Sequence, residues 1–241
     1  MRPHGCCPVT PSARRAFVDL ARTTATAVLA ACASLPPPAP PTPSADPARR
    51  AEELAAATTP SRPQRAVFRW ELQQGLARFR GQGVVRYQAP ERLRLDLFDA
   101  QGRTVLVAAL VADSLRLPGA LPAGLDLPSP TLLWAAIGVF RPPHNARLLG
   151  GAEDDTTLLL RYGLDGQRLD VRARRGPPIR LWRVDRSGAT GVLETVEWID
   201  SLGAEVRYLD RANGRELRLV YEHREDASPF PAEIWRPLGR R

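Results

Sequence analysis

The clearest candidate for chemistry in this sequence is one cysteine in a processing motif. Leu29-Ala30-Ala31-Cys32 follows a short apolar run behind an arginine-bearing N-terminus. That order of residues is typical of a bacterial lipobox, where a peptidase cuts before a cysteine whose thiol then carries lipid. We therefore expect residues 1–31 to be a removable signal peptide and Cys32 to be the site of lipid attachment. The alternative is that Cys32 is an ordinary small residue in an alanine-rich run.

The cysteines and prolines around this motif divide the chain into three parts. Cys6 and Cys7 lie in the segment that we expect to be removed, so the remaining chain holds a single thiol and forms no internal disulfide. The residues directly after Cys32 are rich in proline, which favours an extended, semi-rigid spacer. The predicted organisation is a signal peptide over residues 1–31, a lipidated cysteine with its tether over residues 32–45, and a folded domain over residues 46–241.

The rest of the sequence offers few groups for proton transfer, nucleophilic attack or metal binding. Beyond the tether there are two histidines, His144 and His223, and neither has a Cys, Asp or second His at metal-ligand spacing. Nucleophile-elbow and zinc-protease motifs are absent, and Gly81-Gln82-Gly83 lacks the third glycine of a dinucleotide site. We expect no catalytic residues, no metal site and no cofactor. A carboxylate pair across a curled sheet stays open as a route to glycoside hydrolysis.

The positive charge of this chain comes from arginine alone. The formal net charge is +8, and the sequence contains no lysine. Basic residues alternate with acids and leucines, as in Arg92-Leu93-Arg94-Leu95-Asp96, and form no stripe with interleaved aromatic residues. This pattern favours solvated arginines on exposed strand faces and argues against a nucleic acid as partner.

The elements that must position any site are mostly short strands. From Gln64 onward the hydrophobic period is two, so that Leu93, Leu95 and Leu97 share one face of their strand. Hairpin turns such as Asp165-Gly166 separate strands at roughly ten-residue spacing. We predict a mainly β fold, an open, curled antiparallel half-barrel of about eleven strands with one or two short helices as a lid or plug.

Two details of the strands carry their own predictions. Glycine inside a strand relaxes its backbone, so we expect either a bulge or a sharp coil of the strand at Gly81 and Gly83. We expect Glu233–Arg236 to form the last edge strand of the sheet.

Two short helices accompany the strands. Asp46-Pro47 opens the first, which we expect over Arg49 to Ala57. Ser129-Pro130 opens the second, whose apolar residues Leu132 to Ile137 cover most of its circumference. Such a helix is too apolar to lie exposed and too short to span a bilayer, so it should pack over an apolar surface.

Apolar residues on the strands outnumber what two short helices could cover. A curled sheet with one apolar face and a helical lid is a container for an apolar ligand. The alternative is an ordinary core in which the two helices plug the sheet. Twelve residues are the candidate lining of the apolar cavity: Phe79, Leu93, Leu95, Leu97, Val107, Leu133, Trp134, Ile137, Leu160, Leu181, Trp182 and Trp198.

From about residue 70 to residue 235 the sequence resembles a family of envelope proteins. Arg92 to Gly102 is similar to that family's basic and apolar strand ending in a glycine turn, and Leu132 to Gly138 is similar to its tryptophan-bearing helix. Leu217 to Tyr221 followed by Phe230 to Ile234 is similar to its closing strands with proline between them. On these motifs the chain resembles the LolA/LolB family of lipoprotein carriers and outer-membrane lipoprotein receptors, and more closely its LolB-like branch, whose members are themselves lipoproteins.

The resemblance implies an open eleven-stranded half-barrel with a helical lid over an apolar cavity that holds the acyl chains of lipoproteins crossing the periplasm. Each buried CH₂ group is worth about 0.8 kcal/mol, so a triacylated cysteine needs such a shelter in water. The implied partners are acyl chains of lipoproteins or other lipids, a periplasmic lipoprotein carrier, and the membrane through the lipid anchor. The implied location is the inner leaflet of the outer membrane, facing the periplasm, with a role in lipoprotein localisation that needs no enzyme chemistry.

One departure from the family lies in the turn after its third strand. The family's exposed leucine, which helps to deliver cargo into the membrane, corresponds to Gln101 here, and its usual proline corresponds to Ala100. Ala100, Gln101 and Gly102 are therefore the candidate membrane-delivery loop, although a polar tip inserts poorly into lipid. Two other roles stay open: a carrier of another lipid, and a non-catalytic envelope interaction lipoprotein with the same fold and a plugged core.

Overall fold

The computed structural model describes residues 41–119, 127–199 and 204–237, all within one compact unit. The predicted signal peptide, Cys32 and most of the predicted tether lie outside the described residues. The helices are α1 (Pro47–Thr58) and α2 (Pro130–Ala136), and a 3₁₀ turn covers Ala232–Trp235. The strands are β1 (Thr42–Pro43), β2 (Gln64–Gln74), β3 (Ala77–Gln88), β4 (Arg92–Asp99), β5 (Thr104–Val111), β6 (Ser114–Arg116), β7 (Arg147–Glu153), β8 (Thr157–Leu164), β9 (Gln167–Arg174), β10 (Arg180–Gly188), β11 (Gly191–Trp198), β12 (Glu205–Asp210) and β13 (Arg215–Asp226).

Across the described ranges, the thirteen strands form one antiparallel sheet. Their order is β1-β7-β8-β9-β10-β11-β12-β13-β2-β3-β4-β5-β6, and the edge strands β1 and β6 do not pair with each other. The sheet is therefore open, which confirms the predicted mainly β, curled antiparallel half-barrel with two short helices. Because β6 and β7 lie near opposite edges, the chain between them must cross the sheet, and α2 lies in that crossing segment.

The edges of the sheet differ from the sequence prediction in three elements. β1 and β7 are additional strands, and Thr42 of β1 pairs with Glu153 of β7, so part of the predicted tether lies along the sheet. β7 contains Gly150 and shifts register beside it, which explains why its sequence shows no alternation. The predicted edge strand Glu233–Arg236 is wrong, because this segment lies mostly in the 3₁₀ turn, which buries Trp235 against β4 and β5.

The first helix packs by one buried leucine and closes at both ends through hydrogen bonds. The Asp46 carboxylate accepts from the backbone N–H of Arg49 at 3.0 Å, so Asp46 is the N-cap and opens the helix as predicted. Leu54 is fully buried. The Thr58 hydroxyl donates to the Leu54 carbonyl at 2.8 Å and accepts from the Phe140 N–H at 3.0 Å, tying α1 to the chain that follows α2.

We define the inner face as the face of the sheet that packs against α2. Apolar side chains on this face stand in register from strand to strand, so one row crosses eight neighbouring strands. That row packs into the hydrophobic core at one end and lines a cavity at the other. Its members, in sheet order, are Leu160, Val171, Val184, Val196, Tyr208, Leu217, Leu72 and Phe79.

The outer face carries arginines that neutralise buried aspartates. Asp96 lies between Arg86 and Arg94, with nitrogen–oxygen distances of 2.7 and 2.8 Å. Asp170 and Asp185 are likewise buried among arginines. The predicted solvated arginines are therefore partly covered ion-pair partners, because a buried carboxylate needs a compensating charge.

Gly81 and Gly83 make room for aromatic rings. β3 pairs with β2 and β4 without a register shift at these residues, so of the two predicted alternatives the bulge does not occur. A Cβ at Gly83 would lie 2.3 Å from the ring of Phe68 and 2.9 Å from the side chain of Leu97. A Cβ at Gly81 would lie 2.9 Å from the ring of Trp70. The glycines thus let two large rings lie flat across β3 on the inner face.

Candidate functional site

A cavity of about 560 Å³ lies on the inner face between α2 and strands β2 to β5, β12 and β13. Its wall is mostly apolar. Six of the twelve predicted lining residues contribute to it: Phe79, Leu93, Leu95, Leu97, Leu133 and Ile137.

The helix contributes to this cavity through one stripe. Leu133, Ala136 and Ile137 line it, which is the i, i+3, i+4 spacing of a single helical face. Trp134 is one residue, or about 100°, further round the helix and is fully buried in the core. Trp134 therefore lies in the core and does not line this cavity.

The other predicted lining residues lie on the outer face, in the core or around a second cavity. Val107 pairs with Asp96, so it belongs to the outer face. Leu160 is fully buried in the core. The remaining three lie around a second cavity: Leu181, Trp182 and Trp198.

Sequence reasoning missed several wall residues because strand pairing brings them in from distant parts of the chain. β13 pairs with β2, which sets Leu217 beside Leu72 and Leu219 beside Trp70. The alternation within each strand is visible in the sequence, whereas the pairing of these two strands is not. The missed apolar and aromatic wall residues are Phe68, Trp70, Leu72, Val85, Val105, Leu127, Pro128, Ala136, Tyr208, Leu217, Leu219 and Tyr221.

The C-terminal end of α2 is held to the sheet by side-chain donors. The Trp198 indole N–H donates to the Ala135 carbonyl at 3.1 Å, and the Tyr221 hydroxyl donates to the Ala136 carbonyl at 2.8 Å. These bonds satisfy carbonyls that a helix end leaves without helical partners. Burial raises the pKa of Tyr221, so its hydroxyl stays protonated and able to donate.

Gly138 explains how Trp198 comes so close to α2. Gly138 has a φ of +86°, as expected for the residue that ends a helix. A Cβ there would lie 3.3 Å from the Trp198 ring. Gly138 therefore both ends the helix and makes room for a tight contact with Trp198.

Two hairpin turns form the rim of the 560 Å³ cavity. Ala100 and Gln101, in the β4–β5 turn, line the cavity edge as Phe79 does. Leu76, at the β2–β3 turn, is fully exposed. Gly81 pairs with Asp99, the last residue of β4, so the β2–β3 hairpin extends about four residues, or roughly 13 Å, beyond the end of β4.

A charged cluster lies on the inner face near the cavity. The Tyr208 hydroxyl donates to a carboxylate oxygen of Glu194 at 2.5 Å, and Arg186 forms an ion pair with the same carboxylate. Burial, followed by the hydrogen bond to Glu194, raises the pKa of Tyr208. All three groups are committed to each other, so the cluster orients the tyrosine ring at the cavity wall.

Two further kinds of feature were sought among the described residues: metal sites and membrane-spanning helices. No group of three or more His, Cys, Asp or Glu residues in the described ranges could hold a metal ion. His223 contacts Glu225 at 3.0 Å in an exposed position, and His144 is exposed in a loop. In the part of the chain that is described, no helix has the length and apolar character needed to cross a membrane.

The fold is similar to that of solved structures of low sequence identity. A LolA-superfamily protein of Nitrosomonas europaea gives a TM-score of 0.52 at 14% identity, covering 78% of this chain and 97% of that one. A putative outer membrane lipoprotein-sorting protein domain of Vibrio parahaemolyticus gives a TM-score of 0.55 at 10% identity, covering 77% of this chain and 94% of that one. At these identities the likeness shows a shared fold. The sequence matches no family model and no curated protein.

Proposed function

We propose that this chain is a lipid-anchored periplasmic protein that binds the acyl chains of lipoproteins and acts in their localisation to the outer membrane. The observation that carries the proposal is the apolar cavity of about 560 Å³ between α2 and the sheet. Ligand sites for small molecules commonly span roughly 300–1,000 Å³, so the cavity is large enough for hydrocarbon chains. A sheet plugged by its own helices would leave no such space.

The energetics fit a carrier without covalent chemistry. Each methylene moved from water into an apolar wall is worth about 0.8 kcal/mol, so ten methylenes supply about 8 kcal/mol before the costs of binding. Transfer to another protein or to a bilayer requires only a second apolar environment of comparable affinity. The hydroxyl of Tyr208, which lines the cavity, is engaged by Glu194, so this tyrosine is not an activated nucleophile.

The exposed end of the β2–β3 hairpin supports a role at a membrane surface. Leu76 is fully exposed and Phe79 is about half exposed, whereas soluble proteins seldom gather such residues at one tip without function. Arg78 and Arg80 lie on either side of Phe79, and arginine favours anionic lipid head groups. In this proposal Leu76 supplies the apolar contact that the polar delivery loop Ala100-Gln101-Gly102 lacks.

The anchor completes the proposal. A lipidated Cys32 with a proline-rich tether would hold the cavity close to the inner leaflet of the outer membrane. A periplasmic lipoprotein carrier would be the donor, since the acyl chains need shelter before they arrive. The resemblance of sequence motifs and the LolA-superfamily fold both favour this arrangement.

The test combines lipid extraction with a binding assay on matched variants. The full chain, purified from membranes and extracted with organic solvent, is expected to yield acyl species by mass spectrometry. The delipidated protein should bind a fluorescent fatty-acid probe. Leu95→Asn puts a polar group in the cavity wall and should weaken probe binding by about tenfold, equivalent to roughly 1.4 kcal/mol.

Val107→Asn is the matched control, because Val107 lies on the outer face of the adjoining strand and is partly buried as Leu95 is. It should leave the affinity for the probe unchanged. Absence of both extracted acyl species and probe binding would refute the proposal. Equal effects of the two substitutions would refute the placement of the ligand in the 560 Å³ cavity.

A further inference from the structure

A second cavity, of about 440 Å³, lies on the inner face at the other side of the C-terminal end of α2. Ile137 lines both cavities. The stacked rings of Trp198 and Tyr221, with centroids 5.8 Å apart, stand between them, since Trp198 lines the second cavity and Tyr221 the first. The second cavity is therefore a separate space with its own wall.

The charged residues of this wall that the structure describes are all arginines. Arg174, Arg180 and Arg224 line the second cavity, and no Asp or Glu of the described residues does. Within the described ranges, Arg174 and Arg224 form no ion pair, unlike Arg86 and Arg94 on the outer face. The positive charge of Arg224 also lowers the pKa of Tyr87, against the larger upward effect of burial. The wall thus attracts negative charge.

Aromatic rings hold the two guanidinium groups in place. The Arg224 guanidinium carbon lies 4.0 Å from the ring centroid of Tyr221 and 5.0 Å from that of Trp198. The Arg174 guanidinium carbon lies 5.9 Å from the ring centroid of Trp182. A guanidinium over a ring face is attracted to the ring and keeps its edge N–H groups free for hydrogen bonding.

Donors remain unused around the second cavity. Arg224 offers five N–H donors, and its one hydrogen bond to a backbone carbonyl in the described chain is a long one, 3.5 Å to Ile137.

We propose that the second cavity binds a phosphate or carboxylate group attached to an apolar body. Arg174 and Arg224 supply the charge and paired donors. Ile137, Val139 and the other apolar residues of the wall contact the apolar body. The site does not depend on the function proposed for the 560 Å³ cavity.

The test measures binding of small probes to the delipidated full chain by calorimetry at low ionic strength. The probes are octyl phosphate, octanoate, octanol and inorganic phosphate. Octyl phosphate and octanoate should bind at least about tenfold more tightly than octanol, as expected for charge-assisted hydrogen bonds. Rising salt should weaken the binding of the two anions and leave the binding of octanol unchanged.

The double variant Arg174→Gln with Arg224→Gln should remove that advantage of the anions. Its control, Arg92→Gln with Arg147→Gln, removes the same charge from exposed arginines outside the cavity and should bind as the wild type does. Replacement of Arg224 also removes its packing on aromatic rings, so Arg174→Gln alone is the second variant. It should weaken the binding of octyl phosphate several-fold.

Each result decides one point. Tight binding of inorganic phosphate by itself would support a site for free small anions, and binding of octyl phosphate alone would support a site for anionic lipids. Equal affinity for octanol and octyl phosphate, or an unchanged anion advantage in the arginine variants, would overturn the inference. Leu95→Asn should leave the anion advantage intact, so failure of this site and failure of the 560 Å³ cavity are distinguishable.

Discussion

The Tyr221 hydroxyl donates a 2.8 Å hydrogen bond to the carbonyl of Ala136, the last residue of α2. Tyr221 lies on β13, which is hydrogen-bonded to β2 in the middle of the sheet. The bond therefore fixes the short helix to an interior strand of the sheet, next to the central strand β12. The bond lies at the boundary between the two cavities. It therefore helps to hold α2 over the larger cavity.

We expect Tyr221→Phe to loosen α2. The substitution leaves the Ala136 carbonyl without this donor, and loss of one buried hydrogen bond costs about 1 kcal/mol of unfolding free energy. Urea denaturation measures the loss, and exchange of the fatty-acid probe should become faster. Tyr87→Phe removes a hydroxyl from the same inner face without touching α2 and should leave exchange unchanged. Identical exchange rates in all three proteins would contradict the role of this bond.

We expect Leu76→Asp to weaken contact with lipid. A carboxylate at the tip of the β2–β3 hairpin cannot enter the bilayer interface and repels anionic head groups. Cosedimentation with phosphatidylglycerol vesicles, in a Cys32→Ala background that removes the predicted anchor, should fall several-fold. Leu149→Asp is the control, because Leu149 is also an exposed leucine but lies on β7 near the other edge of the sheet. A similar fall in both variants would indicate a charge effect unrelated to the hairpin.

We expect Cys32→Ala to release the protein from membranes. Stable anchoring needs more hydrophobic contact than one exposed leucine supplies, and acyl chains on Cys32 would provide it. Cell fractionation should move the variant from the membrane to the periplasmic fraction, and mass spectrometry of the wild type should show an acylated N-terminus at Cys32. A wild-type protein that begins upstream of Cys32 would contradict the predicted processing.

We expect Gly83→Ala to destabilise the fold. The added methyl group would lie 2.3 Å from the Phe68 ring, so the ring or β3 must shift, and overpacking of this kind costs about 1–3 kcal/mol. The unfolding midpoint in urea should fall accordingly. Gly119→Ala is the control, because a Cβ there meets no atom within 4 Å. An unchanged unfolding midpoint for Gly83→Ala would show that the inner face can accommodate the methyl group, and would contradict the prediction.

We expect Asp185 to make stability depend on acid pH. Burial raises the pKa of Asp185, but hydrogen bonds from Arg183 and Thr195 and the charges of Arg183 and Arg172 outweigh it, so this pKa lies below its usual value. A carboxyl with a depressed folded pKa stabilises at neutral pH, and that contribution is lost as the pH falls from about 5 towards 3.

The measurement is the free energy of unfolding across that pH range. Asp185→Asn should lower stability at pH 7 by about 3 kcal/mol and flatten the acid slope. Asp165→Asn, in an exposed turn, should leave both unchanged. A steeper dependence of stability on acid pH in Asp185→Asn would contradict the lowered pKa of Asp185.

The local features of this fold were readable from the sequence. The alternation of Leu93, Leu95 and Leu97 placed one leucine row on the inner face, and all three line the cavity. Asp46 and Ser129-Pro130 marked the starts of both helices. These signals depend on side-chain period and capping, which act within a few residues of each other.

Only the tertiary structure decided which rows of side chains come together across the sheet and which cavities they enclose. The apolar run of β5 shows no alternation, so its pairing with β4 alone shows that Val107 faces outward beside Asp96. The β2–β13 pairing closes the cavity wall, and Arg174 and Arg224 meet at the second cavity from separate strands. Alternation fixes the two faces of one strand, but register between strands distant in sequence is set by packing of the whole sheet.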